Sequence, residues 1–450
     1  MSASALRLGR LAGGARAKGR GKKRARRGAA SAEYSMLLTA TLCLLALGAV
    51  MVFSASSTTR VLQDGGLSDS AFYLKRTLIF GAVGLLVMHL VARHGLVAVR
   101  RLTPLLLGGS IFLLVAVLVA GTSVNGSTRW LGSGFLQIQP SEVAKLALIL
   151  YAADLLTRKP KRVRSIEGFM PLLLVTGAAC LLMMLEPDMG TTMVVVLAVG
   201  ATLLAAGARP RDLALIALAI GFVALLMTLV EPYRMARLTG FLNPGADAQG
   251  AGFQAAQAKI ALGSGGIFGV GIGNGVQKAF YLPEAHTDMI SAVIGEELGL
   301  IGILGVVGLF SMFGYAGLKI AQRARDNYGK LLVAGLTSLV LIQATVNLFA
   351  VMGLAPLTGV PLPFVSYGNS SLMATLFAVG LILNVARGGR AGAARASTGS
   401  RAGKLRVVEG GRGPGRERSR ASGARRAKSG GGGGRNRGAR GARDGRRRRA

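Results

Sequence analysis

Apolar residues run through this chain in long uninterrupted blocks, separated by short polar or charged connections. The blocks fall at about 35–56, 77–92, 103–121, 141–156, 169–185, 191–208, 211–229, 289–318, 330–353 and 364–386. Each is close to the ~20 residues that a helix needs to cross a bilayer. No strand-like alternation of apolar and polar positions is present, so helices are the only way to satisfy the backbone inside lipid. The pattern predicts an all-α, polytopic membrane protein with about ten transmembrane helices. The first run, roughly Ser35 to Ser56, is too long for the apolar region of a cleaved leader, and further spans follow it.

Charge in the connections sets the orientation. Arg93 to Arg101, Arg158 to Arg164, Arg209 to Arg211 and Lys319 to Lys330 are short basic connections, and they alternate along the chain with far less basic ones. Lys and Arg mark the cytoplasmic side, so both termini are expected there. Of the outer connections, 230–288 is nearly sixty residues, a length uncommon in a structureless loop unless it is functional. It contains Pro232, Pro244 and Pro283 and a helix-compatible stretch around Phe253 to Leu262.

Composition sharpens the division. Hydrophobic residues make up 51% and charged residues 16%, yet the net charge is +35. Residues 1–30 carry ten Lys/Arg and no acid, and residues 387–450 carry 21 Lys/Arg against Glu409, Glu417 and Asp444, so the tails hold 28 of the 35 charges. Three parts are therefore expected: a basic disordered tail over 1–34, a membrane core over 35–386, and an Arg/Gly-rich disordered tail over 387–450. Neither tail interleaves aromatics with its cations, so attraction to anionic lipid is expected rather than nucleic-acid binding. Cys43 and Cys180 lie in apolar runs and read as free, buried, inert thiols.

Polar residues at membrane depth need a reason to be there. Glu142 and Lys145, three residues apart after Gln139-Pro140-Ser141, share a helix face and can pair. They are either a structural ion pair or part of a site. Asp188, in Glu186-Pro187-Asp188-Met189-Gly190, can cap a helix starting near Thr191 and Thr192. The glycine-rich stretch Gly265 to Gly275 lacks both the G-x-G-x-x-G spacing and the flanking βαβ pattern of a nucleotide loop. Its alternating glycines instead permit close approach to a ligand or a neighbouring helix.

The densest cluster is Leu282-Pro283-Glu284-Ala285-His286-Thr287-Asp288, with Glu296-Glu297 two turns further on. Asp288 and His286 stand where a proline-fixed loop meets the membrane surface, a dehydrated place that raises a carboxyl toward general-base range. Thr287 or Asp288 acting as a plain helix cap is the alternative. A last cluster, Pro361 to Ser371, opens the final span with several hydroxyls, Ser366 among them. They can bind phosphate or sugar, or satisfy freed backbone groups.

Taken together, Gln139-Pro140-Ser141-Glu142 with Lys145, Glu186 to Thr191, Leu282 to Asp288 with Gly295 to Gly299, and Leu362 to Ser371 occur in the order found in the SEDS family. That family comprises FtsW, RodA and their sporulation relatives. The resemblance covers roughly Ser35 to Arg387, and Ala285 makes it closer to the FtsW branch. The chain departs from the family pattern at Asn369, where a second glycine is usual, and at Met289, often aromatic.

The resemblance implies a peptidoglycan glycosyltransferase that polymerises lipid II outside the cytoplasmic membrane, at the division septum, with a class B penicillin-binding protein and other division proteins. It places Asp288 at the family's catalytic aspartate, and Glu142, Lys145, Asp188 and Ser366 at other functional positions. Asp288 would deprotonate the acceptor 4-hydroxyl, which attacks the donor's anomeric carbon with inversion. The departing undecaprenyl diphosphate needs cations or a divalent metal, Mg2+ or Mn2+. Lys259, Lys278, Arg129 and Arg234 are the external cations on offer. A lipid-linked precursor flippase and a scaffold that recruits a transpeptidase are the competing classes; the one-sided clustering of the motifs and the carboxylate ending the long loop favour an enzyme.

Overall fold

The computed structural model describes residues 32–56, 71–124, 127–132, 137–158, 160–230, 232–243, 251–279 and 282–389, and every structural statement below concerns these. The disorder expected of the two basic tails falls outside them, apart from the innermost few residues of each. The helices are α1 (Ala32–Ser56), α2 (Phe72–Ala120), α3 (Pro140–Arg158), α4 (Ile166–Leu185), α5 (Met189–Ala206), α6 (Pro210–Val230), α7 (Pro232–Leu242), α8 (Ala251–Gly265), α9 (Ile290–Arg323), α10 (Asn327–Val351) and α11 (Asn369–Ala386). Eight of them are long and apolar enough to cross a membrane. The two remaining apolar runs fall in α3, a helix of 19 residues with four charged side chains, and in the second half of α2.

α2 departs from expectation. The sequence predicts two spans joined by a basic loop over Arg93 to Arg101, but helical backbone runs through all 49 residues. A straight helix of that length would extend about 74 Å, more than twice the hydrocarbon thickness. The neighbours of α2 show that it folds back. Arg76 meets Asn369 at the start of α11, whereas the Asn384 amide at the other end of α11 donates to the carbonyls of Val91 and Ala92. Arg100 pairs with Asp154 near the end of α3. After Ala120 the chain returns toward the start of α3 through a short hairpin. No loop interrupts the basic stretch: apart from Gly95, its residues are compatible with a helix, and the backbone stays helical through it.

That hairpin is a small exception to the all-α expectation. β1 (Thr122–Val124) pairs antiparallel with β2 (Ser127–Trp130), and Leu131 bridges to Ile138 just before α3. The far end of the bundle gathers the termini of the core. Arg387 donates to the Tyr34 hydroxyl at 2.6 Å, Arg323 pairs with Glu33, and Arg325 donates to the Gly388 carbonyl. Both ends of the core therefore leave on one side, as the loop charges require.

Burial grades from centre to rim. The most apolar window of α10 is 78% buried, and that of α6 only 6%, with Leu218, Phe222 and Leu229 turned outward. Cys43 is exposed on the outer surface of α1, not buried as expected, and Cys180 is half-buried; both are free thiols.

The connection 230–288 is folded where it is described. It carries α7, which the sequence pattern did not reveal, and α8, which encloses the expected stretch Phe253 to Leu262. Beyond α8 the glycine-rich segment packs against a break in α9, where Gly299 has φ 66° and ψ −162°. The polar groups freed there are taken up by backbone alone. Val270 and Gly271 donate to the Glu296 and Glu297 carbonyls, and Leu300 and Ile301 donate to those of Gly266 and Ile267, at 2.9–3.2 Å. A β-carbon on Gly269 would stand 2.1 Å from the Glu297 oxygen, and one on Gly299 2.4 Å from the Gly269 nitrogen. Close backbone approach is thus the physical reason for glycine at both positions.

Candidate active site

The polar motifs collect at the end of the bundle opposite the chain ends, and α10 is the post that ties them together. Gln343 and Asn347 stand one turn apart on the same face of this buried helix. The Gln343 amide donates to the Pro361 carbonyl at 3.0 Å, while its oxygen accepts from the Lys145 ammonium at 2.8 Å. The Asn347 amide donates to the Asp288 carbonyl at 2.7 Å and to the Val360 carbonyl at 2.8 Å. Ser291 donates to the Asn347 oxygen in turn. One helix face therefore fixes the backbone of Asp288 against the segment 358–361.

Glu142 and Lys145 form the pair that their spacing suggests, with Nζ 2.9 Å from Oε1 and both side chains 3% exposed. With Gln343 as a second acceptor, the ammonium is held on two sides. Asp188 caps α5, accepting from the Thr191 amide at 3.2 Å. Its second oxygen accepts from Ser141 at 3.3 Å and Gln139 at 3.4 Å, which draws the start of α3 to the start of α5. Gly190 lets this turn approach the 358–360 segment, since a β-carbon there would stand 2.5 Å from the Thr358 oxygen.

Asp288 is not the cap of α9. Met289 holds that position, and no side chain caps it. The half-buried Asp288 carboxylate accepts from Thr287 at 3.3 Å, and Thr287 also donates to Glu284 at 2.8 Å. Burial pushes the Asp288 carboxyl up to about 6; the neighbouring Glu284 carboxylate pushes the same way, and Arg237 opposes both. Three charged groups from distant parts of the chain surround Gly359. Asp288 Oδ2 and Arg237 Nη1 each lie 3.8 Å, and Arg129 Nη1 4.0 Å, from where a β-carbon would stand on Gly359. With φ +70° and no side chain, Gly359 leaves that space open.

Each arginine is anchored by backbone carbonyls. Arg129, on β2, donates through Nε to the Glu186 carbonyl at 3.3 Å and through Nη2 to the Pro187 carbonyl, with Nη1 3.8 Å from Asp188. Arg237, on α7, donates to the Leu357 carbonyl at 3.1 Å. Lys259, exposed on α8, extends over Gly353 and lines a shallow cleft with Arg237, Phe241 and Leu357.

Other expectations change. Lys278 is not an external cation: it is 2% exposed, its ammonium 2.6 Å from Glu297 and 2.9 Å from Ser54 on α1. The chain beyond the glycine segment folds inward and carries this lysine with it. Ser366 is buried, and its hydroxyl accepts from the Leu362 amide at 2.8 Å, so it closes a local turn rather than facing the opening. His286 sits in an aromatic group, its ring 4.4 Å from Tyr73 and 5.5 Å from Tyr367. Asn369, the departure from the family pattern, accepts from Arg76 once its amide is oriented to suit. The side chain of Arg234 lies outside the described residues.

Sequence reasoning missed Arg237, Gln343, Asn347 and Glu186. The two amides in an apolar span were a legible signal. Arg237 was not, because nothing local marked α7 as facing Asp288. Among the described residues, no three His, Cys, Asp or Glu side chains gather into a cage for a divalent ion.

Comparison with known proteins agrees with this arrangement. The sequence pattern of the cell cycle protein family of FtsW, RodA and SpoVE matches residues 34–391. Stage V sporulation protein E of Bacillus subtilis is 43% identical, over 78% of this chain and 96% of its own length. The probable peptidoglycan glycosyltransferase FtsW of Thioalkalivibrio sulfidiphilus is 45% identical, over 78% and 88%. A chain from a peptidoglycan synthase complex, solved for the coordination of polymerization and crosslinking, superposes with TM-score 0.64 at 30% identity, over 78% of this chain and 96% of its own. The rod shape determining protein RodA of Thermus thermophilus does so with TM-score 0.57 at 29% identity, over 78% and 95%. Reaching from the first span to the last and through every polar motif at the outer end, this match shows that the chain belongs to the FtsW, RodA and SpoVE family of membrane-embedded cell cycle proteins.

Proposed function

We propose that the protein is a peptidoglycan glycosyltransferase that polymerises lipid II at the outer membrane face, with Asp288 as general base and Arg129, Arg237 and Lys259 facing the donor diphosphate. The observation that carries this reading is the convergence of one carboxylate and two guanidinium groups on the open space at Gly359. The carboxyl, raised to about 6, is ionised at neutral pH yet basic enough to accept a proton. Asp288 takes the proton of the acceptor 4-hydroxyl, whose oxygen bonds to the anomeric carbon of the donor. The bond from that carbon to the phosphate oxygen breaks, and its electron pair leaves with undecaprenyl diphosphate. Donor configuration inverts. Fixed guanidinium groups then stabilise the leaving charge, and they cost little reorganisation because backbone carbonyls already hold them.

The relatives named as peptidoglycan glycosyltransferases support the activity, and the synthase complex supports a crosslinking partner, a class B penicillin-binding protein. A role at the septum beside other division proteins rests on the FtsW relatives. The pair Glu142–Lys145 is closed on itself and on Gln343, which fits a structural post better than the exchangeable site of a flippase. The test is polymerisation of labelled lipid II by the purified protein, with and without its transpeptidase. Glycan strands from the wild type and none from Asp288→Asn are expected. Absence of polymer under both conditions would overturn the reading.

A further inference from the structure

Glu186 stands next to this site and the mechanism above does not use it. Its side chain is 0% exposed, and neither carboxyl oxygen has a hydrogen-bond partner. The Thr358 hydroxyl, on the segment that Gly190 packs against, is likewise buried and without a partner. A fully buried glutamate is ordinarily paired, and an ionised one with no donor is driven to take up a proton instead. Arg129 does not pair with it; that guanidinium is occupied by the carbonyls of Glu186 and Pro187 and by the Asp188 carboxylate. Charges facing Glu186 are thus Asp188 on its own turn and Arg129 from β2. α3 reaches the turn through the uncharged Gln139 and Ser141, and its Glu142 is already paired with Lys145. Arg237 and Asp288 lie beyond, across Gly359.

We propose that Glu186 is a positioning residue for the anionic donor: it carries a proton at neutral pH, and uncharged it adds no negative charge to the Arg129–Asp188 pair beside the diphosphate. This rests on the assignment of Arg129 to the donor site. Arg129 and Asp188 cancel, so a neutral Glu186 leaves the group without net charge, and an ionised one leaves it with one negative charge beside a dianionic donor. Burial, helped by Asp188, pushes the Glu186 carboxyl up to about 8, against the pull of Arg129. Donor binding therefore weakens as pH rises through that region. Catalysis by Asp288, already ionised there, does not change.

The test is lipid II binding to the full-length protein in nanodiscs across about pH 6.5 to 9.5, using Asp288→Asn so that no turnover occurs. Affinity is expected to fall roughly tenfold on the alkaline side, the size of one added unit charge several ångström from the ligand in a half-buried site. In the active enzyme the same titration appears in KM and not in kcat. Glu186→Gln, which cannot ionise, loses the alkaline decline, and Glu186→Asp retains one. A flat wild-type affinity, or an unchanged decline in Glu186→Gln, would overturn the proposal. If Glu186→Gln does not fold, the wild-type KM profile and Glu186→Asp decide. Should Asp288→Asn polymerise normally, the base assignment falls while the pH dependence of KM in the wild type and Glu186→Gln still reads Glu186.

Discussion

Two sets of charges in this protein are treated in opposite ways. Within the bundle, Glu142–Lys145 and Lys278–Glu297 are buried, each pair in hydrogen-bond contact and each ammonium with a further acceptor. At the outer end, Asp288, Arg129 and Arg237 approach a shared space without closing on one another. Carbonyls of Glu186, Pro187 and Leu357 hold the two guanidinium groups, Asp188 lies 3.8 Å from that of Arg129, and Asn347 holds the Asp288 backbone. A closed pair is a fastening, because its Coulomb energy is already spent against its desolvation. An open set keeps its field for a ligand. Opposite charges near a membrane surface thus indicate a site when the geometry keeps them apart.

The sharpest way to break this contrast is Asp288→Asn, which should lower the polymerisation rate by about 10²–10⁴-fold. The melting temperature should hold, since Asn347 grips the backbone of residue 288 and not its side chain. Lys145→Met should do the reverse, costing about 3–5 kcal/mol of stability by leaving Glu142 buried alone. Adding Glu142→Gln should recover part of that loss in thermal unfolding; strict additivity would show that the two are not coupled. Next in size, Arg237→Ala should raise the KM for lipid II about tenfold, the worth of one charged hydrogen bond, with a smaller change in kcat. The finest probe is pH. A base with a carboxyl near 6 is lost as pH falls through that value, so kcat should hold at neutrality and decline below it. Glu284→Gln removes a repulsion that raises this carboxyl, so the acid limb of the kcat profile should move to lower pH.

Much of this was legible in the sequence, and the rest failed for identifiable reasons. Apolar runs gave the spans, since lipid enforces length and composition directly. Glu142 with Lys145 and the Asp188 cap of α5 were readable because each has a partner within three residues. The Asp288, Arg129 and Arg237 group was not, as its members lie in three segments more than fifty residues apart and meet only through α10 and the 358–361 segment. Lys278 was misplaced by the same limit. Position in an outer connection says nothing about whether the chain there turns back under α1 and α9. In α2 the error lay in equating a basic run with a loop, although all of its residues but Gly95 are ordinary helix residues.

The break at Gly299 bears on motion. A segment as rich in glycine as Gly265 to Gly275 would ordinarily exchange its amide hydrogens with solvent in moments. Here the amides of Val270, Gly271, Leu300 and Ile301 each donate across the seam to a carbonyl. Their exchange is therefore governed by separation of the two segments as a unit. In deuterium-labelling experiments these four positions should stay protected together and open together, so a stretch that composition marks as slack behaves as a welded joint beneath the site.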